Sequence, residues 1–218
     1  MKKKILVVAA AFLLTPMMAG LAQADGGYLV GKAGVYLPTD GDVDAGFNGE
    51  IGYGYDLVPG PGLLAIEGTV GYFNTQKTED YYDYTSSYGF RSSYRMETDA
   101  YVVPLALSLK GGVQAGPVML YIGGGVDLLF VNMEMKYGDK YSDYYYDRYR
   151  YSDSDNDVIW GGHVMAGITF DINPHMFIGA EAKYLFTQDM NMSFYGGQDI
   201  VTGNLDGFTI SAVFGFRF

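Results

Sequence analysis

His163 and His175 are the only histidines of the chain. A hydrolase built on either would need a nucleophile beside the base and a third group to orient it. No serine is expected beside either one, and His163 reads as a hydrogen-bonded residue near Asp127 or Glu181. Cysteine is absent, which excludes a thiolate nucleophile, a thiolate zinc site and a disulfide framework. Asp40, Asp42 and Asp44 have the D-x-D-x-D spacing that opens a calcium loop, yet Ile51 stands where such a loop carries its bidentate glutamate. Ser152-Asp153-Ser154-Asp155-Asn156-Asp157 is a second acidic run. Both read as solvated turns, with divalent-bridged contact to lipid phosphates as the alternative. Tyrosine is concentrated in two stretches. Residues 74–98 hold Tyr81, Tyr82, Tyr84, Tyr88 and Tyr94, and residues 133–157 hold Tyr137, Tyr141, Tyr144, Tyr145, Tyr146, Tyr149 and Tyr151. Tyrosine gives large, stiff, amphipathic contact area at low entropic cost, as in antibody paratopes. These residues therefore suit recognition of an external protein or glycan, or packing on lipopolysaccharide. No enzyme, cofactor or metal centre is expected.

The segments that must position these residues alternate with period two. Phe208, Ile210, Ala212, Phe214, Phe216 and Phe218 share one face of a strand whose other face carries Thr209, Ser211, Val213, Gly215 and Arg217. The same division recurs over residues 28–37, 47–56, 64–72, 100–110, 118–130, 160–170 and 178–186, which makes eight strands. Pro104 removes a ladder donor from the fourth and predicts a bulge or a local break in pairing. The connections alternate in length. Residues 57–62, 111–117 and 171–175 are short and rich in Gly, Pro and Asn. Residues 38–46, 74–98, 133–157 and 187–206 are longer and polar. Arg148-Tyr149-Arg150-Tyr151 also alternates, so strands can continue beyond the crossing as a protruding hairpin.

The chain has 218 residues, 31 glycines, 21 tyrosines, 49% hydrophobic and only 18% charged residues. Lys2, Lys3 and Lys4, the apolar run Ile5–Leu14, Pro16 and Ala22-Gln23-Ala24 predict a signal peptide over 1–24 and one mature domain over 25–218. Removing the three lysines takes the net charge from −11 to −14 and argues against nucleic acid as a partner.

Strands this short match the about 9–11 residues of a tilted membrane crossing. Short turns on one side and long loops on the other are the asymmetry of a transmembrane barrel. A soluble, lipocalin-like barrel would turn its apolar faces inward. Those faces carry too many Leu, Ile, Phe, Tyr and Trp for an eight-stranded interior. Charges fall only on the opposite, small-residue face: Lys32, Glu50, Glu67, Lys110, Asp127, Glu181, Lys183 and Arg217, with His163. There they can pair and plug a narrow lumen. The expected fold is therefore all-β: an eight-stranded antiparallel up-and-down transmembrane barrel. Tyr53, Tyr55, Tyr72, Tyr101, Trp160, Tyr184, Phe186 and Phe218 lie near strand ends, where interface girdles sit.

Val103-Pro104-Leu105-Ala106-Leu107-Ser108-Leu109-Lys110, a Gly-rich turn, and Tyr121-Ile122-Gly123-Gly124-Gly125-Val126 resemble the central strands of the outer membrane protein beta-barrel domain group. The chain is similar to the small bacterial outer-membrane barrels, which include the transmembrane domain of outer-membrane protein A and the opacity and Ail-type surface barrels. The resemblance implies residence in the Gram-negative outer membrane, contact with lipid and lipopolysaccharide, and recognition of Phe214, Phe216 and Phe218 by the barrel-assembly machinery. The expected role is structural or surface interaction, with adhesion read from the composition of the tyrosine-rich loops (Tyr81, Tyr82, Tyr84, Tyr144, Tyr145, Tyr146, Tyr149, Tyr151). A small or gated pore is the alternative, because lumen glycines would leave gaps.

Overall fold

The computed structural model describes residues 26–39, 44–58, 62–83, 92–139, 151–194 and 199–218. The expected signal peptide lies outside the described residues, as do Asp40, Asp42, Tyr84, Tyr88, Tyr141, Tyr144, Tyr145, Tyr146, Arg148, Tyr149 and Arg150.

Ten strands are described: β1 (Gly27–Pro38), β2 (Gly46–Asp56), β3 (Gly62–Asp83), β4 (Ser92–Ala115), β5 (Val118–Asp139), β6 (Tyr151–Asn173), β7 (Met176–Thr187), β8 (Met190–Phe194), β9 (Asp199–Gly203) and β10 (Gly207–Arg217). Eight form a closed antiparallel barrel in the order β1-β10-β7-β6-β5-β4-β3-β2. The ring closes where β1 pairs with β10, from Tyr28 opposite Arg217 to Pro38 opposite Gly207. Closure leaves no sheet edge within the ring, the condition for a sheet in hydrocarbon.

Three expectations about the connections are corrected. Residues 74–83, 92–98, 133–139 and 151–157 are paired strand rather than loop, from Asn74 opposite Tyr101 out to Asp83 opposite Ser92, and from Asn132 opposite Asn156 out to Tyr137 opposite Tyr151. Their polarity reports water on the outer face; their Thr and Tyr content suits strands. Residues 187–206 are likewise not one loop but contain a separate hairpin, β8–β9. The turn assigned to 111–117 shrinks to Gly116-Pro117, because β4 runs on to Ala115. Gly116 takes φ +64° there, a left-handed backbone that favours glycine. At Pro104 the β3–β4 ladder skips one stretch, from Val70–Leu105 to Phe73–Val102, without a change of register. The missing donor interrupts pairing and makes no bulge.

Period two sets the faces. Leu107, Leu109, Leu120, Ile122, Val126, Val164, Ile168, Ile210 and Phe214 point out and are exposed. Lys32, Glu50, Glu67, Lys110, Glu181 and Lys183 point in and are buried. The apolar face is thus the outer wall. Outward aromatics form two bands: Tyr72, Tyr101, Trp160, Tyr184 and Phe186 near the long-strand end, and Tyr53, Tyr55, Phe216 and Phe218 near the short-turn end.

At three lumen glycines an aromatic ring takes the space a side chain would have filled. Tyr28 lies across its cross-strand neighbour Gly54, Tyr121 across Gly167, and Phe177 across Gly215. A Cβ on those glycines would fall 2.1, 2.3 and 1.9 Å from the ring above it. Each glycine is the floor on which a ring rests. Gly167→Ala is therefore expected to destabilise the barrel by about 1–3 kcal/mol through overpacking. Urea unfolding in lipid vesicles reads this, with outward-facing Ala166→Gly as the comparison.

Candidate functional site

The lumen is filled in layers. At the short-turn end a cavity of about 260 Å³ is lined by Tyr28, Leu63, Met119, Tyr121 and Phe177, and reaches Glu67 and Lys110. Arg217 stands at this end, apart from the other lumen charges. It binds Asp171 at 2.6 Å and lies 4.6 Å over the Phe177 ring.

Above the cavity, strands β1, β2, β3, β4 and β7 bring three lysines and three glutamates together. Lys32 Nζ lies 2.7 Å from Glu181, 2.9 Å from Glu67 and 4.0 Å from Glu50. Lys110 Nζ lies 2.7 Å from Glu67 and 3.3 Å from Glu181. Lys183 donates to Glu50. The hydroxyls of Tyr121, Tyr28 and Thr69 donate to Glu181, Glu67 and Glu50 at 2.8, 3.0 and 3.3 Å. The charges balance, and every glutamate accepts from both a cation and a hydroxyl. A buried ionic cluster is tolerated only when satisfied in this way.

Asp127 and His163 form the next layer with Ser108. His163 Nδ1 lies 2.6 Å from Asp127 and Nε2 lies 2.9 Å from the Ser108 hydroxyl. One tautomer satisfies both partners: Nδ1–H donates to the carboxylate and Ser108 donates to Nε2. This overturns the expectation that no serine stands beside a histidine. Ser108 and His163 are far apart in sequence, but both face Gly125 across the sheet. His163 Cε1 is 2.8 Å from where a Gly125 Cβ would sit, so only glycine lets the two side chains meet. A glycine between two strands was the signal available in the sequence. Asn48 donates to Ser211 on the far wall at 3.2 Å.

The top layer departs from the small, polar lumen face of the sequence reading. Tyr36, Phe73, Val102, Leu129, Val131, Met133, Met135, Ile159 and Leu185 point inward as one buried apolar cluster. Met190, the first residue of β8, and Leu205, just beyond β9, pack into it. Tyr36 stacks on Phe73 at 4.4 Å and donates to Leu205 O at 2.9 Å. These positions lie where strands rise beyond the crossing, and a water-facing sheet must bury one face on something.

Phe214, Phe216 and Phe218 point outward, and Phe216 and Phe218 meet edge to face at 5.6 Å. Tyr81 and Tyr82 belong to β3, and Tyr151 to β6. Asp44 pairs its backbone with Gln76, N to O at 2.8 Å. His175 lies in the β6–β7 turn.

A closed eight-stranded ring with an apolar outer wall, aromatic bands and a plugged polar bore defines an outer-membrane β-barrel. The chain belongs to the family described as outer membrane protein beta-barrel domain, whose model matches residues 6–218. No curated protein matches it in sequence. Among solved structures it is similar to the outer membrane protein OprG from Pseudomonas aeruginosa, at 16% identity over 89% of this chain and 96% of that one, TM-score 0.59. It is also similar to a major outer membrane protein from Thermus thermophilus, at 14% identity over 90% and 100%, TM-score 0.53. A third likeness is to Neisserial surface protein A, at 14% identity over 89% and 98%, TM-score 0.50. The protein resides in the outer membrane. By the family asymmetry, the short turns face the periplasm and the long strands face outside.

Proposed function

We propose that the protein is a closed surface barrel whose working part is the sheet formed by β3–β6 above the membrane. The observation that carries this reading is strand length. These four strands have 22–24 residues, more than twice the about 9–11 needed to cross. Their tips lead into the segments rich in tyrosine and aspartate. A surface of that composition suits an extracellular protein or glycan.

The bore does not suit solute passage, because a balanced ionic cluster and an apolar layer both fill it. The Ser108–His163–Asp127 chain has the connectivity of a hydrolase relay, but its setting supports a structural role. Ser108 is 3% exposed. Ser108, Glu67 and Gly125 are aligned in continuous ladders, which leaves no pair of backbone N–H groups for an oxyanion. A fluorophosphonate probe is expected to leave Ser108 unlabelled in the folded barrel. Labelling that disappears in Ser108→Ala would establish a nucleophile. On β10, the outward Phe214, Phe216 and Phe218 are the surface offered to the assembly machinery, and residues 1–24 are the export signal.

Replacing residues 84–91 and 140–150 with short Gly/Ser turns tests the surface role. The barrel is expected to keep its heat-modifiable migration in detergent gels while cells lose attachment or serum resistance. Unchanged surface behaviour with an intact barrel would end the reading.

A further inference from the structure

Above the membrane β6 loses its neighbour. The β6–β7 ladder stops at Gly161 opposite Thr187. From Tyr151 to Val158 its outer edge faces away from β5. The hairpin β8–β9 packs beside β6, yet β8 pairs only with β9, as a separate two-stranded sheet. Two strands side by side without a ladder is unusual, since an edge with free N–H groups invites pairing.

The aspartates of β6 account for this. Ser154 N–H donates to Asp153 Oδ1 at 2.9 Å, Asn156 N–H to Asp155 Oδ1 at 2.8 Å, and Val158 N–H to Asp157 Oδ1 at 2.8 Å. These three residues alternate with period two and share the side of Trp160, whose carbonyl accepts from Gln188 N–H at 3.0 Å just before β8. Below Trp160 this edge pairs with β7; above it the N–H groups of Ser154, Asn156 and Val158 are already taken by the preceding aspartate.

The hairpin is instead tied at its base. Leu205 N–H donates to Thr187 Oγ1 at 2.8 Å, and Thr187 N–H to Asp206 Oδ1 at 2.8 Å. Thr39 N–H and hydroxyl both reach Asp206 O at 2.9 Å. Above this knot, Met190 and Leu205 sit in the apolar layer that ends the bore.

We propose that Asp153, Asp155 and Asp157 are an edge cap that keeps β8–β9 from zipping onto β6, so that the hairpin stays a separate sheet held at its base by Thr187 and Asp206. Capping, rather than negative charge, is the operative feature. An asparagine side chain has the same Oδ1 acceptor and no charge; an alanine has neither.

Amide hydrogen exchange on the full chain in lipid nanodiscs separates these cases. The triple variant D153A/D155A/D157A is expected to slow exchange in β8 at least tenfold, because its N–H groups then join β6. The triple variant D153N/D155N/D157N is expected to match the unsubstituted protein. Heat-modifiable migration verifies the barrel in each. Unchanged β8 exchange in the alanine variant would overturn the proposal, and so would equal slowing in both variants, which would assign the effect to charge.

Discussion

Lys32→Met is expected to lower the stability of the barrel by about 3–5 kcal/mol, the cost of removing one partner from a buried ion cluster. Lys32 touches all three lumen glutamates, at 2.7, 2.9 and 4.0 Å. Its loss leaves Glu50, Glu67 and Glu181 facing only Lys110 and Lys183, in side chains that are nearly fully buried. Methionine keeps the volume, so the change is one of charge and not of cavity. The double variant Lys32→Met/Glu181→Leu restores charge balance and is expected to recover most of the loss, because apolar replacement of a buried pair is often neutral. Urea unfolding in vesicles, followed by the single tryptophan Trp160, measures both. A Lys32→Met barrel within about 1 kcal/mol of the parent, the range of exposed ion pairs, would mean that water screens the cluster and the bore is open.

The sequence carried the ring because each crossing has one demanding face. Lipid accepts only Leu, Ile, Phe and similar residues, so period two stands out over residues 118–130 or 207–218. The lumen charges were legible for the same reason: a lysine or glutamate cannot sit in the other face. What was not legible depends on pairing across strands. Ser108 meets His163 only because Gly125 lies between them in the folded sheet. The ring-on-glycine pairs, such as Phe177 on Gly215, join residues distant in sequence. Beyond the crossing the outer face meets water instead of lipid and turns polar, so residues 75–83 read as loop although they are strand. The apolar top layer was hidden by its mixture. Met133 and Met135 alternate with Asn132, Glu134 and Lys136, and nothing local says that the methionines turn inward under Met190. Lys136 instead reaches across the outer face to Asp99 at 2.5 Å, and that hydrogen bond raises its pKa.

Leu107→Arg, on the outer wall, is expected to cost about 2–4 kcal/mol in a bilayer, the penalty for arginine near the midplane of a lipid-facing barrel surface. Leu107 lies in the middle of the β4 crossing, opposite Gly68 on one side and Val126 on the other. Its side chain is 52% exposed. On a water-soluble barrel, an exposed leucine replaced by arginine would change stability by about 0.5 kcal/mol or less, the usual scale for surface sites. The same substitution therefore separates the two solvents, and nothing in the barrel's own packing is disturbed. Placing arginine at Gln76 supplies the comparison. Gln76 is also exposed and outward-facing, but it stands beyond the crossing, opposite Asp99, where water takes the charge. Gln76→Arg is expected to leave stability unchanged within that surface range. Urea unfolding of all three proteins in vesicles of one lipid composition gives the differences. Equal costs at Leu107 and Gln76 would place the membrane boundary elsewhere on β3 and β4, and with it the length of sheet that stands above the surface.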